Sequence, residues 1–271
     1  MSAPNDTWSA SSYNETASFV YSSANISPVL SLLDAKPGEK IIDFGCGSGE
    51  VTLEIEKVVT SKGDGLVVGV DASDSMISKA GSNGLRFCFV SDIQSIQFPR
   101  PTNVGQSTTQ FDAVFTNAAL HWCKRDPKGV LESVKKVLIK GGRFVGEMGG
   151  FSNCVGVRSA LHHVLRGRGH DPVILDPWYF PSVEDYRTLL EAHSFKVDHI
   201  SLTPRLTPLP STLRDWLHLF CRHSFLEHMS DEEAESVIEE VQERCRIDCQ
   251  DGQGKWWLMY TRLRFKGILL E

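Results

Sequence analysis

No stretch of about 18 apolar residues occurs in this 271-residue sequence, so no membrane-spanning helix is expected. No Lys or Arg precedes Lys36 and no continuous apolar segment follows the start, so a secretory signal is not expected either. The seven cysteines form no CxxC pair and are odd in number, which fits reduced thiols in a cytoplasmic protein better than a disulfide framework. There is no excess of positive charge. The 28 Lys and Arg face 34 Asp and Glu, a net charge of −6, which argues against nucleic-acid or anionic-membrane partners. No internal repeat is visible. With 41% hydrophobic and 23% charged residues, the composition excludes collagen-like, coiled-coil and disordered classes. What remains is a folded chain acting on small molecules. Nothing fixes its oligomeric state, and a monomer is the simpler reading.

What is present is an alternation of strands and helices. Buried strands are expected at residues 40–44, 66–70, 85–90, 111–116 and 143–147, separated by helical patterns. A short helix at 74–80 should stop at Gly81, and the clearest helix, 127–138, has Asp126 as its cap and proline at its first turn. Such an alternation builds an α/β, doubly wound sheet. Beyond residue 150 the pattern changes. Ser182 should start a helix, 196–200 a sixth strand and 256–265 a seventh, with helices at 212–222 and after Ser230, where Glu233 completes a capping box. Three parts are expected: an N-terminal flap (1–39), a core (40–150), and a part completing the sheet (151–271) whose excursion at 202–255 forms a helical lid.

The central signal is Asp43-Phe44-Gly45-Cys46-Gly47-Ser48-Gly49, where a strand meets a helix and small residues let backbone approach a ligand. A second strand ends in Asp71, whose carboxylate can accept the hydroxyl protons of a ribose. A dinucleotide site is disfavoured because Glu50 stands where the G-x-G-x-x-G fingerprint has its last glycine. With Asp43 two residues before Gly45, the loop instead resembles the first motif of class I S-adenosylmethionine-dependent methyltransferases.

That resemblance implies a seven-stranded Rossmann-like sheet in the order 3-2-1-4-5-7-6 with the last strand antiparallel, and S-adenosylmethionine as cofactor without a metal. It implies cofactor contacts from Asp43, Gly45, Cys46, Gly47, Asp71, Ala72, Met76, Ser91, Asp92, Ile93 and Asn117. The stretch Asn117-Ala118-Ala119-Leu120-His121-Trp122 is similar to the trans-aconitate and juvenile hormone acid methyltransferase group, which implies a small-molecule acceptor methylated on a carboxylate oxygen. A carboxylate is ionised at neutral pH and needs no base. A hydroxyl-, nitrogen- or carbon-directed enzyme remains open, as does a non-catalytic cofactor-binding scaffold. For a hydroxyl acceptor His121 would be the candidate base, and otherwise a loop histidine shaping the pocket. Trp122 and Trp178 either line the acceptor pocket or pack the lid, and Tyr13 and Tyr21 are candidates to cover sulfonium and acceptor, Tyr13 being preferred for positioning. Arg158, Arg166, Arg168 and Arg222 are the arginines considered for binding an acid, without a match. Cys245 and Cys249 read as buried thiols.

Overall fold

Seven strands form one sheet in the order β3-β2-β1-β4-β5-β7-β6, as the resemblance implied. The computed structural model describes residues 23–99 and 110–270; Tyr13 and Tyr21, and most of the expected flap, lie outside the described residues. β1 (Lys40–Phe44), β2 (Leu66–Asp71), β3 (Cys88–Val90), β4 (Phe111–Asn117) and β5 (Leu138–Gly149) are mutually parallel. β7 (Trp257–Leu269) runs antiparallel between β5 and the edge strand β6 (Phe195–Pro208).

Alternate side chains of each strand face opposite ways, and here both faces are covered. Ile41, Val67, Phe115 and Val145 meet Val29 and Leu33 of α1 (Ser23–Leu33) and Ile55 and Val59 of α2 (Glu50–Val59). Ile42, Phe44, Val68, Val114 and Phe144 meet Leu131 and Val134 of α4 (Pro127–Val137), α3 being Asp74–Ser82. This is why the central strands read as continuous apolar runs rather than alternating ones. Each fully buried Val, Leu or Ile contributes about 1.5–3 kcal/mol, so these two layers hold the switch point between β1 and β4 rigid.

A third apolar cluster belongs to the C-terminal half. It joins α5 (Val155–Gly167), which precedes α6 (Pro172–Leu175) and α7 (Val183–Glu191), to α8 (Leu213–Cys221) and α9 (Asp231–Cys249). Trp178, Trp216, Trp256 and Tyr260 lie in it, and so do Cys245 and Cys249, both buried.

Several boundaries differ from the sequence-based expectation. β6 runs to Pro208 instead of ending near residue 200, so the helical excursion begins after β6 rather than at 202. α3 continues through Gly81 and gives way at Asn83 and Gly84, the latter with φ +105. Ser230 caps α9 by accepting from the Glu233 N–H, but the Glu233 carboxylate pairs with His170.

Candidate active site

The loop after β1 is shaped by three left-handed glycines: Gly45, Gly47 and Gly49 have φ of +79, +55 and +89. At Gly45 a side chain is also excluded by space, since a Cβ would fall 2.2 Å from that of Ala119. The N–H groups of Gly45 and Cys46 donate to the Val70 carbonyl at 2.7 and 3.0 Å, tying the loop to the end of β2. Gly47 N–H and Ser73 N–H then donate to the two oxygens of Asp71, each at 3.0 Å, which fixes that carboxylate against the loop.

Asp43 lies underneath and is 2% exposed. Thr52 donates to Oδ2 at 2.7 Å, while Oδ1 has no hydrogen-bond partner among the described residues. Burial above all, together with the negative charge of Asp71, pushes the Asp43 carboxyl up to about 7 against the pull of the Thr52 hydrogen bond. Asp92 has the opposite environment. Burial would raise its pKa, but hydrogen bonds from the Gln94 backbone and the Arg125 guanidinium outweigh it and hold the carboxyl below its ordinary value.

These groups line one cleft of about 1020 Å³, counting its open mouth. It brings together Asp43, Gly45, Cys46, Gly47, Asp71, Ala72, Met76, Asp92, Ile93 and Asn117. Ser91, also expected here, does not line this cleft, and its hydroxyl accepts from the Gln97 N–H at 3.0 Å. Sequence reasoning missed Ser73, Gln94 and Cys123, which share the turns following the expected residues.

A smaller cavity of about 410 Å³ adjoins the cleft, with Ala118 and Trp122 lining both. Ala118 has φ +57, a conformation unfavourable for a residue with a Cβ, held by its N–H bond to the Glu147 carbonyl at 2.8 Å. His121 and Trp178 line this cavity too, away from the main cleft. The Trp178 ring stacks on Phe180 with centroids 5.5 Å apart, and the Trp216 indole N–H donates to the Tyr260 hydroxyl at 2.7 Å. His121 Nδ1 faces the Gly149 N–H at 3.5 Å, which leaves the ring proton on Nε2. Burial first, and the charge of Arg262 second, push the His121 pKa down to about 3.

Arg262, also missed from sequence, contributes the one guanidinium in this lining among the described residues. The arginines considered earlier are occupied elsewhere or exposed. Arg158 binds Asp176, Arg168 binds Glu240, Arg222 binds Asp231, and Arg166 is exposed. Among the described residues no three His, Cys, Asp or Glu side chains converge as a metal site, and no helix is long and apolar enough to cross a membrane.

The methyltransferase-domain family matches residues 35–154. An uncharacterised methyltransferase of Schizosaccharomyces pombe is 33% identical over 272 residues, covering 97% of this chain and 98% of that protein. The chain belongs to the S-adenosylmethionine-dependent methyltransferases. A trans-aconitate 2-methyltransferase of Deinococcus radiodurans is 26% identical to this methyltransferase over 125 residues, covering 45% of this chain and 42% of that protein. A loganic acid methyltransferase solved with SAH shares the fold, with a TM-score of 0.65 at 15% identity and 97% of each chain covered.

Proposed function

We propose that this methyltransferase transfers a methyl group to a carboxylate oxygen of a small acceptor held in the smaller cavity. When bound, S-adenosylmethionine supplies a methyl on a positively charged sulfur, open to in-line displacement. Asp71, Ala72, Met76, Asp92 and Ile93 would hold its nucleoside part, and Asp43, Gly45, Cys46, Gly47 and Asn117 its amino-acid part. The residues fit that role by charge. A buried carboxylate oxygen without a partner among the described residues, Asp43 Oδ1, is satisfied by a ligand ammonium.

The acceptor class rests on the protonation of the smaller cavity's lining. His121, held near 3, is too weak a base to deprotonate a hydroxyl, and burial raises the Cys154 thiol to about 12, so it keeps its proton. Arg262 is a cation. An acceptor that must lose a proton finds no partner among these three, whereas a carboxylate arrives ionised. His121 then serves as a neutral hydrogen-bond donor that positions the acceptor, and the aromatic walls exclude water.

Extracts incubated with isotopically labelled methyl donor test this reading by mass spectrometry. The expected product is a methyl ester whose label is lost in mild alkali. An alkali-stable label would move the acceptor to a hydroxyl, nitrogen or carbon, and intact cofactor binding without turnover would leave a binding scaffold. His121→Ala should lower kcat less than about tenfold, whereas general-base removal typically costs 10²–10⁴-fold.

A further inference from the structure

Glu147, on β5, sits directly opposite Arg264 of β7. Two residues along β7, on the same face, is Arg262; two further is Tyr260, opposite which β6 places Arg205. Three guanidinium groups therefore gather on one face of the sheet around one carboxylate. Arg264 takes the Glu147 Oε2 with its Nε at 3.0 Å. The other two reach it only loosely, Arg205 Nη1 at 3.8 Å and Arg262 Nε at 4.0 Å from Oε1, beyond hydrogen-bond distance. One carboxylate against three cations leaves an excess of two positive charges. The Nε atoms of Arg205 and Arg262 are both buried without a hydrogen-bond partner among the described residues.

Arginine cannot escape such a site by losing its proton, and a buried guanidinium N–H without a hydrogen bond, on a charge only loosely compensated, is unfavourable. Arg262 is 5% exposed, lies over the Tyr260 ring at 4.6 Å, and is the member of the cluster that lines the smaller cavity. Much of the remaining lining is aromatic, from Trp122, Trp178, Phe180, Trp216 and Phe220, with His121, Asn153 and Cys154 among its polar members and no acidic side chain among the described residues. The arrangement is a cationic fork among aromatic rings, with more positive than negative charge.

We infer that Arg262, supported by Arg205, is the anion anchor that selects the acceptor, a small acid with a flat or apolar body and a carboxylate. The inference rests on the reading that the smaller cavity holds the acceptor. It excludes protonated amines, which Arg262 repels, and disfavours uncharged alcohols, which can accept a hydrogen bond but bring no charge to the guanidinium. Arg262 is a specificity-determining residue in this account, distinct from the groups around the cofactor.

Calorimetry on the full chain saturated with S-adenosylhomocysteine tests it with matched pairs: 2-naphthoate and 2-naphthylmethanol, indole-3-acetate and tryptophol, decanoate and decanol. In at least one pair the acid should bind tenfold or more tightly than its alcohol. Arg262→Gln should bring that ratio to within twofold, Arg262→Lys should restore part of it, and cofactor affinity and the urea midpoint should not fall. A merely structural role would instead lower the midpoint and leave the acid-to-alcohol ratio alone. Should Arg262→Gln fail to fold, Arg205→Gln is expected to reduce the ratio three- to tenfold. No acid preference in any pair, or a preference that survives these variants, overturns the anchor. An Arg262-dependent acid preference combined with a label on an atom other than the carboxylate oxygen would keep the anchor and discard carboxylate methylation.

Discussion

A methyl group added at Gly45 would collide with the Ala119 side chain at 2.2 Å while the backbone there has φ +79. The left-handed conformation costs a residue with a Cβ about 1–2 kcal/mol, and overpacking adds about 1–3 kcal/mol. Gly45→Ala should therefore lower the unfolding free energy by about 2–5 kcal/mol in urea titrations and weaken S-adenosylhomocysteine binding by more than tenfold. Gly63, with φ +143 and open space around it, offers a control in which Ala strains only the backbone. Gly45 was legible from sequence because a turn between strand and helix demands small residues at fixed spacing, and Asp43, Asp71 and Asp92 were legible because each ends or flanks a strand. Arg262 was not. In the run Arg262-Leu263-Arg264-Phe265-Lys266 the cations alternate with apolar residues, the pattern of a solvated strand face. Arg262 is buried beside Glu147 and over the Tyr260 ring, in a cavity it shares with Trp216 and Phe220 of α8, groupings of residues far apart in sequence. The parity shared with Leu258 and Tyr260, both buried, was the available hint.

At the level of elements, the sheet order followed from the family resemblance, whereas lengths at its C-terminal edge did not. Pro204 and Pro208 both lie within β6, an edge strand, where a missing N–H is tolerated on the solvent side. The segment between α6 and α7 was recognisable as aromatic, but its anchor was hidden until α5 packed on it. Asp176, 2% exposed, accepts from Arg158 Nε at 2.6 Å and from the Trp178 N–H at 2.9 Å, with His162 Nε2 at 2.9 Å. This carboxylate fastens the Trp178 and Phe180 wall of the smaller cavity to α5. Removing one member of a buried pair costs about 3–5 kcal/mol, less where the partner reaches water, as Arg158 does. Asp176→Ala is thus expected to lose about 2–4 kcal/mol in urea titrations and to weaken acceptor binding. Cofactor affinity should stay within twofold, because Asp176 does not line the main cleft. An equal loss at both sites would show that the two cavities depend on one shared scaffold.

For the whole molecule, the net charge of −6 conceals adjacent regions of opposite sign. Asp43, Asp71 and Asp92 make the main cleft acidic, and Arg262, with Arg205 and Arg264 behind it around Glu147, makes the smaller cavity basic. Under the proposed function, a cationic donor and an anionic acceptor would be sorted into neighbouring sites, and the acidic half carries a pH signature. The Asp43 carboxyl is raised from 3.8 to about 7 in the folded chain. Below about pH 4 it is protonated in both folded and unfolded states and contributes nothing. As pH rises from about 4 to 7 the unfolded chain ionises while the folded one keeps its proton, so folding is progressively disfavoured, by up to about 4 kcal/mol, levelling above 7. Asp92 and Glu39, whose pKa values are lowered, act with the opposite sign at acid pH: their stabilisation is lost as pH falls. A bound ammonium beside Asp43 Oδ1 restores the charged form, so binding between pH 4 and 7 must release a proton. Calorimetry of S-adenosylhomocysteine binding near pH 6, repeated in buffers of different ionisation enthalpy, should show release approaching one proton. The rise in Tm on binding should be larger at pH 7.5 than at pH 5.5. Asp43→Asn should abolish the proton release, weaken binding, and raise the Tm of the ligand-free protein at pH 7.5. Proton-neutral binding by the unmodified chain at pH 6 would place the ligand's ammonium away from Asp43 and leave its buried carboxyl without a role in holding the cofactor.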